Sequence, residues 1–188
     1  YMLFRVLKDD GFFRFIGLAF QQIINYEKRY IWIRKFAIDL KPSPHLTCKE
    51  LDEDTLTNLQ YNKSIGYVDK YWNVAYGAKR FFGVYEGENL IHFGWVYHSS
   101  CPRYDLKEGE AFIGPAITIK EFRRRGGQKH RLIYVSNLLR KEGCSKIYSG
   151  TDIGNYPSIN GLSSSDFRIS HIQKRLLIFK KKFFSIKK

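Results

Sequence analysis

A chain of 188 residues with 44% hydrophobic and 16% aromatic side chains has enough apolar surface for one well-filled core, which argues against intrinsic disorder. Its 32 Lys and Arg against 18 Asp and Glu leave a net charge of +14, so the expected partner is anionic: a coenzyme, a nucleic acid or a membrane surface. Cys48, Cys101 and Cys144 are odd in number and lack C-x-x-C spacing, which argues against a disulfide framework or a zinc site and for a reducing compartment.

Asp10 can cap a helix from Gly11 to about Ile24, with Phe12, Ile16, Phe20 and Ile23 on one face. This stretch is too short and too charged to span a bilayer. It also lacks the cleavage pattern of a signal peptide. Residues 1–28 are therefore expected to form a helical segment that packs on the domain or lies on a membrane surface, and residues 29–188 the main domain, the whole making a single globular unit. Tyr30–Ile38 reads as a first strand and Lys41-Pro-Ser-Pro44 as a turn. Thr47-Cys-Lys-Glu50 has capping-box spacing and predicts a helix to about Asn62, with a second helix over Ile65–Ala78. Phe81–Glu86 and Leu90–His98 flank Gly87-Glu88-Asn89, a hairpin signal. A polar loop, Ser99–Gly109, follows.

Glu110–Ile119 is apolar and β-branched enough for a buried strand, with Gly114-Pro115 in its middle. Proline has no N–H to give to a ladder, so a bulge or splay is expected there. Phe122-Arg-Arg-Arg-Gly-Gly-Gln128 comes next. Its two glycines permit a tight turn whose N–H groups face inward as an anion nest. A helix over about Gln128–Lys141 is predicted from Leu132, Val135, Leu138 and Leu139, with Arg140, Lys141 and Gly143 as its stop. Arginines, a nest and the positive end of a helix together suit a phosphorylated ligand. Lys146–Ser149 is a short strand, Thr151–Ser165 a turn and short helix, and Phe167–Phe179 one or two strands before a Lys-rich tail.

Arg123-Arg-Arg-Gly126-Gly-Gln128 resembles the R/Q-x-x-G-x-G/A loop of the GNAT superfamily of N-acyltransferases, with Gln128 standing where the pattern has Gly or Ala. Asn155-Tyr-Pro-Ser158-Ile159 and Asp166-Phe167 resemble its N-x-x-S-(V/I) block and "GF" step, with Asp166 in place of Gly. The resemblance covers roughly residues 80–180. It implies an α/β fold with a mixed, splayed central sheet flanked by helices. It also implies acetyl-CoA or another acyl-CoA as co-substrate, without a metal. Its pyrophosphate would lie on the N–H groups of Gly126, Gly127 and Gln128. Arg123 and Arg125 would add charge-assisted bonds, and Arg131 would extend to the 3′-phosphate. The coenzyme's arm would run beside Pro115, Ala116 and Ile117, and Asn155 and Ser158 would start the helix that touches it.

The same resemblance implies direct attack by an amine in a ternary complex. Glu110 and His98 are the candidate general bases and Tyr156 the candidate acid. Glu110 also reads as a solvated strand end, His98 as an edge histidine, Tyr156 as a packed aromatic, and Asn155 with Ser158 as an N-cap pair. The acceptor style looks most like that of bacterial enzymes acting on small amines or nucleotide-linked amino sugars. A cytoplasmic monomer or homodimer is the expectation. The tail Lys174–Lys188 alternates cationic runs with aromatics and offers a competing reading, a basic module peripheral to an anionic membrane or tracking a nucleic acid. No helix-turn-helix, zinc-finger or RNP signature accompanies it, so specific nucleic-acid reading is not expected.

Overall fold

The structure, a computed structural model, describes residues 24–52, 54–55, 58–59, 80–98, 101–102, 104–178 and 181–187. The helices expected at Gly11–Ile24 and Ile65–Ala78 lie outside the described residues, apart from Ile24, which is in a strand. The chain divides into two compact units: residues 31–170, and residues 1–30 with 171–188.

The elements are β1 (Ile24–Arg34), β2 (Thr47–Glu50), β3 (Arg80–Glu86), β4 (Asn89–Tyr97), β5 (Glu110–Thr118), α1 (Gly127–Lys141), β6 (Lys146–Asp152), α2 (Tyr156–Ser163), β7 (Phe167–Ile178) and β8 (Lys181–Lys187). In the larger unit the sheet runs β2-β3-β4-β5-β6-β1-β7, with Ile31–Arg34 and Phe167–Ser170 as the parts of β1 and β7 that belong to it. Strands β2 to β5 pair antiparallel and β5 pairs parallel with β6. In the smaller unit β7 and β8 pair antiparallel, from Gln173↔Lys187 to Ile178↔Lys181. The Lys-rich tail is therefore largely a strand rather than a free extension.

Two expectations for the first half are corrected. Thr47–Glu50 is an edge strand, not a helix cap. Cys48 is buried between exposed Thr47 and Lys49, and pairing with β3 overrides the capping-box spacing. The cap sits five residues on, where the Asp52 carboxylate accepts the Thr55 N–H at 2.8 Å and residues 54–55 are helical. The Glu50 carboxylate instead takes two bonds of 2.8 Å from the Arg80 guanidinium, which also reaches Glu142 past the end of α1. The strand expected at Tyr30–Ile38 ends at Arg34, and it lies between β6 and β7.

The Gly114-Pro115 expectation is met by a β-bulge. Gly94 pairs with Ala116 and Val96 with Ile113, so two residues of β5 oppose the single Trp95. One extra residue reverses which side of the sheet each side chain faces. Before the bulge Phe112 faces the aromatic core; after it Ile117 does, although the two numbers differ in parity. This aromatic face holds Phe81, Phe93, Trp95, Tyr97, Tyr104, Phe112 and Tyr148, with Phe81 edge-on to Trp95 at 4.8 Å between centroids. On the other face α1 lies over β3, β4 and β5, burying Leu132, Ile133, Val135 and Leu139.

Candidate active site

Strands β5 and β6 stay paired only from Glu110↔Lys146 to Ile113↔Ser149. At the point of parting the Ser149 hydroxyl donates to the Ile113 carbonyl at 2.9 Å. Beyond it β5 keeps β4 as its partner through Thr118 while its other edge has no strand partner among the described residues. Five residues from Ile113 to Thr118 leave a gap roughly 17 Å long at the usual rise of an extended strand. A Gly-Pro pair cannot supply a regular ladder, so the splay begins where the sequence loses its donor.

The gap leads to the loop before α1. A single 3-10 turn, Lys120–Phe122, gives way to extended Arg123. Arg124 and Gly126 then take positive φ of 67° and 80°. Alternation of this kind turns successive N–H groups toward one point, next to the positive end of a 15-residue helix. Gly127 is needed for another reason: a Cβ there would lie 2.9 Å from the Cβ of His92 and 3.3 Å from Ile91. The absence of that side chain lets the first turn of α1 sit directly on β4.

The three arginines of the loop differ. Arg123 and Arg124 are exposed. Arg125 pairs with Glu86 and lies over the Phe122 ring, 5.1 Å from its centroid. Arg131 does not extend to the surface: its residue is 1% exposed, so the expected contact with a 3′-phosphate is corrected. Helical periodicity turns position 131 toward the sheet, where Gly94 leaves room for the guanidinium. A Cβ on Gly94 would meet Arg131 Nη1 at 2.7 Å and the Pro115 carbonyl at 2.5 Å. Arg131 Nε donates to His92 Nε2 at 3.1 Å, which leaves the His92 proton on Nδ1, donated to Thr118 Oγ1 at 2.8 Å. Burial lowers the Arg131 guanidinium to about 10, so it stays cationic at neutral pH, and burial pushes the nearby Cys48 thiol up to about 12. None of His92, Gly94 and Thr118 was singled out from sequence. An interior strand glycine was the available signal, since it marks close approach of another group.

Burial, and for His92 the Arg131 charge, holds the His92 and His130 imidazoles below their ordinary value of 6.5. Below pH 6.5 the unfolded chain takes up protons that the folded chain refuses. Stability is therefore full above that pH and falls as the pH drops through it. The expected loss is up to about 1.4 kcal/mol per pH unit for each such histidine. Urea midpoints at pH 7.5, 6.0 and 5.0 check this, and His92→Gln should flatten the slope.

At the second helix the Asn155 side chain accepts the Ser158 N–H at 3.3 Å, an N-cap. Gln128 leans across to this helix: its amide donates to Ser158 Oγ at 3.4 Å, and a Cβ on Gly161 would fall within 2.8 Å of it. The Gln128 side chain thus fills space between the first turns of α1 and α2. Asp166 has a positive φ of 59°, which accounts for glycine at that step of the motif; Asp enters this region more readily than most residues.

The remaining candidates lie apart from the loop. Glu110 is buried at the paired end of β5. Its carboxylate accepts the Lys107 N–H at 3.1 Å and the Tyr148 hydroxyl at 3.5 Å, with Lys146 Nζ at 3.6 Å. His98 follows Tyr97, which pairs with Phe112, so it stands at the same end of the sheet. Tyr156 is 71% exposed at the start of α2, beside exposed Ile153. Among the described residues no group of His, Cys, Asp and Glu could hold a metal, and no helix is long and apolar enough to cross a membrane.

No protein-family model and no curated protein matches the sequence. Solved structures do match its shape. A GNAT-family acetyltransferase from Colwellia psychrerythraea superposes with a TM-score of 0.59 at 13% identity, over 87% of this chain and 59% of that one. A GCN5-related N-acetyltransferase from Sphaerobacter thermophilus gives 0.55 at 10% identity, over 86% of this chain and 55% of that one. The chain thus spans less than two thirds of the length of either. The mixed sheet flanked by helices matches the fold of these GNAT acetyltransferases, and that is the fold of this chain.

Proposed function

We propose that this protein is an acyl-CoA-dependent N-acyltransferase, most simply an acetyltransferase, acting on a primary amine of a small molecule or nucleotide-linked amino sugar. The observation that carries the reading is the continuity of the β5–β6 gap with the Arg124–Gly126 nest and the α1 N-terminus. An extended arm fits the gap and a pyrophosphate fits the nest. Acyl-CoA would supply the activated thioester.

The chain's own groups would then act as follows. The N–H groups of Gly126, Gly127 and Gln128 hold the pyrophosphate, and Arg123 adds charge. Arg125 contributes by releasing Glu86, an exposed pair that costs less than about 1 kcal/mol to open. The backbone of Pro115, Ala116 and Ile117 lines the arm, with Asn155 and Ser158 on its far side. Bound reactants are brought together, and a β5 N–H stabilises the developing oxyanion. Glu110 and His98, both at the paired end of β5, are the candidate bases. Tyr156 is free enough to protonate the departing thiolate, and Ile153 with Tyr156 offers an apolar edge to the acceptor.

Calorimetric titration with acetyl-CoA, against desulfo-CoA and ATP, tests the reading. Saturable acetyl-CoA binding that is weaker for ATP and lost in Arg123→Ala/Arg125→Ala supports it and justifies an acceptor screen of amino sugars. No binding at millimolar acetyl-CoA removes it. Gln128→Gly is expected to tighten binding about tenfold, roughly 1.4 kcal/mol, because the amide no longer fills the space beside Ser158 and Gly161. Unchanged or weaker binding would count against the loop assignment. That same amide favours a second reading, a fold that binds acyl-CoA without turnover. Product formation from any acceptor amine rejects it.

A further inference from the structure

The charge on Arg131 has no part in the reaction outlined above. Its residue is 1% exposed, yet among the described residues no carboxylate pairs with it, and the nearby Cys48 thiol stays protonated at neutral pH. Its Nε is taken up by His92, but its Nη1 is buried without a hydrogen-bond partner among the described residues. A buried charge in this state is destabilising, and such groups concentrate where a fold carries function. Nη1 lies behind the β5 bulge. It and the Pro115 carbonyl oxygen are both within 2.7 Å of the point that a Gly94 Cβ would occupy, so they are close neighbours across that glycine.

The direction of the Pro115–Ala116 peptide follows from the pairing. Ile119 N–H donates to the Ile91 carbonyl at 3.0 Å, so alternate residues back along β5 turn their backbone groups to β4. Ile117, opposite Phe93, is one of them. Ala116, opposite Gly94, and Thr118, opposite His92, therefore turn their N–H groups to the edge that has no strand partner among the described residues. The Pro115 carbonyl agrees: it reaches Gly94 on β4, and in a planar trans peptide the N–H lies opposite the C=O. Ala116 N–H thus points into the gap, while the carbonyl of the same peptide sits beside Arg131. A cation near an amide oxygen draws electron density from the nitrogen and strengthens the N–H as a donor, more so in surroundings of low dielectric. We propose that Arg131 is a positioning residue for acyl transfer, whose charge polarises the Pro115–Ala116 peptide and makes the Ala116 N–H the strong donor to a thioester carbonyl in the gap. The thioester as ligand rests on the acyltransferase reading; the polarised amide does not. The bonds from Arg131 to His92 and from His92 to Thr118 tie the guanidinium to the same free edge two residues further on.

The probe is acetyl-CoA isotope-labelled at its thioester carbonyl, followed by infrared difference spectra. The amide signal of Ala116 in NMR of the free protein is the second readout. In the parent chain the bound carbonyl band is expected below its frequency in water. Arg131→Met keeps the length of the side chain but not its charge. It should return the band to near the free value and move the Ala116 amide proton upfield, while acetyl-CoA affinity changes by less than about threefold. Arg131→Lys keeps the charge and should retain most of both shifts, and it serves as the test if the methionine variant does not fold. A packing role predicts the reverse, with methionine at least as good as lysine. An Ala116 amide that Arg131→Met leaves in place overturns the proposal whatever acetyl-CoA does. So does a parent chain that binds acetyl-CoA without moving the carbonyl band. A responsive amide in a chain that does not bind acetyl-CoA means that the acyltransferase reading fails and the polarised donor stands.

Discussion

Asp166→Ala is expected to lower the unfolding free energy by about 3–5 kcal/mol, the cost of leaving a buried charge without its partner. The Asp166 carboxylate meets Arg34 Nη1 at 2.8 Å, with both side chains 1% exposed. The same oxygen accepts the Ala37 N–H at 2.8 Å, and the Asp166 carbonyl accepts the Lys35 N–H at 3.1 Å. One residue thus fastens the exit of β1 to the start of β7. Urea denaturation of three variants separates its contributions. Asp166→Gly keeps the left-handed backbone but not the carboxylate, so it should be nearly as damaging as alanine. Asp166→Asn keeps the Ala37 bond and leaves Arg34 uncompensated. Adding Arg34→Met to Asp166→Asn removes the stranded charge and should recover much of the loss. If Asp166→Gly were as stable as the parent chain, the residue's role would be conformational only.

Gly94→Ala is the second large effect. The added carbon would sit 2.5 Å from the Pro115 carbonyl and 2.7 Å from Arg131 Nη1. The carbonyl belongs to the bulge and the guanidinium has no room to retreat, so β4 and β5 must separate. Overpacking of this kind costs about 1–3 kcal/mol. It should also move the bulge that starts the splay, and so weaken acetyl-CoA at least tenfold if the acyltransferase reading holds. Gly161→Ala is the control. Its new carbon meets only the flexible end of Gln128, so stability should change by less than about 1 kcal/mol. Equal losses in the two variants would mean that the Gly94 contact has no special weight.

The second half of the chain was the legible half. Its strands and helices are short local patterns: the hairpin at Gly87-Glu88-Asn89, the Gly-Pro interruption of β5, and the Arg-Gly-Gly turn followed by a four-leucine-or-valine helix face. Each is set by residues within a few positions of one another, and each reappears in the structure within a residue or two. The first half was harder, because Thr47–Glu50 has capping-box spacing and yet pairs as an edge strand. Local spacing cannot choose between them; only the presence of β3 at hydrogen-bonding distance can.

For the site, sequence by itself determined the Arg-Gly-Gly turn into a helix, the N-cap at Asn155 and the place where β5 must lose regular pairing. These follow from backbone chemistry: glycine's positive φ, proline's missing donor, the free N–H groups of a helix start. Only the tertiary structure decided what the side chains around them do. It turned Arg131 inward to His92, spent Arg125 on Glu86, laid Gln128 against Ser158 and made Asp166 a partner for Arg34. Those pairings join residues from about 30 to more than 100 positions apart. A backbone motif acts through its neighbours in sequence, whereas a long side chain takes its role from whatever the fold has brought within its reach.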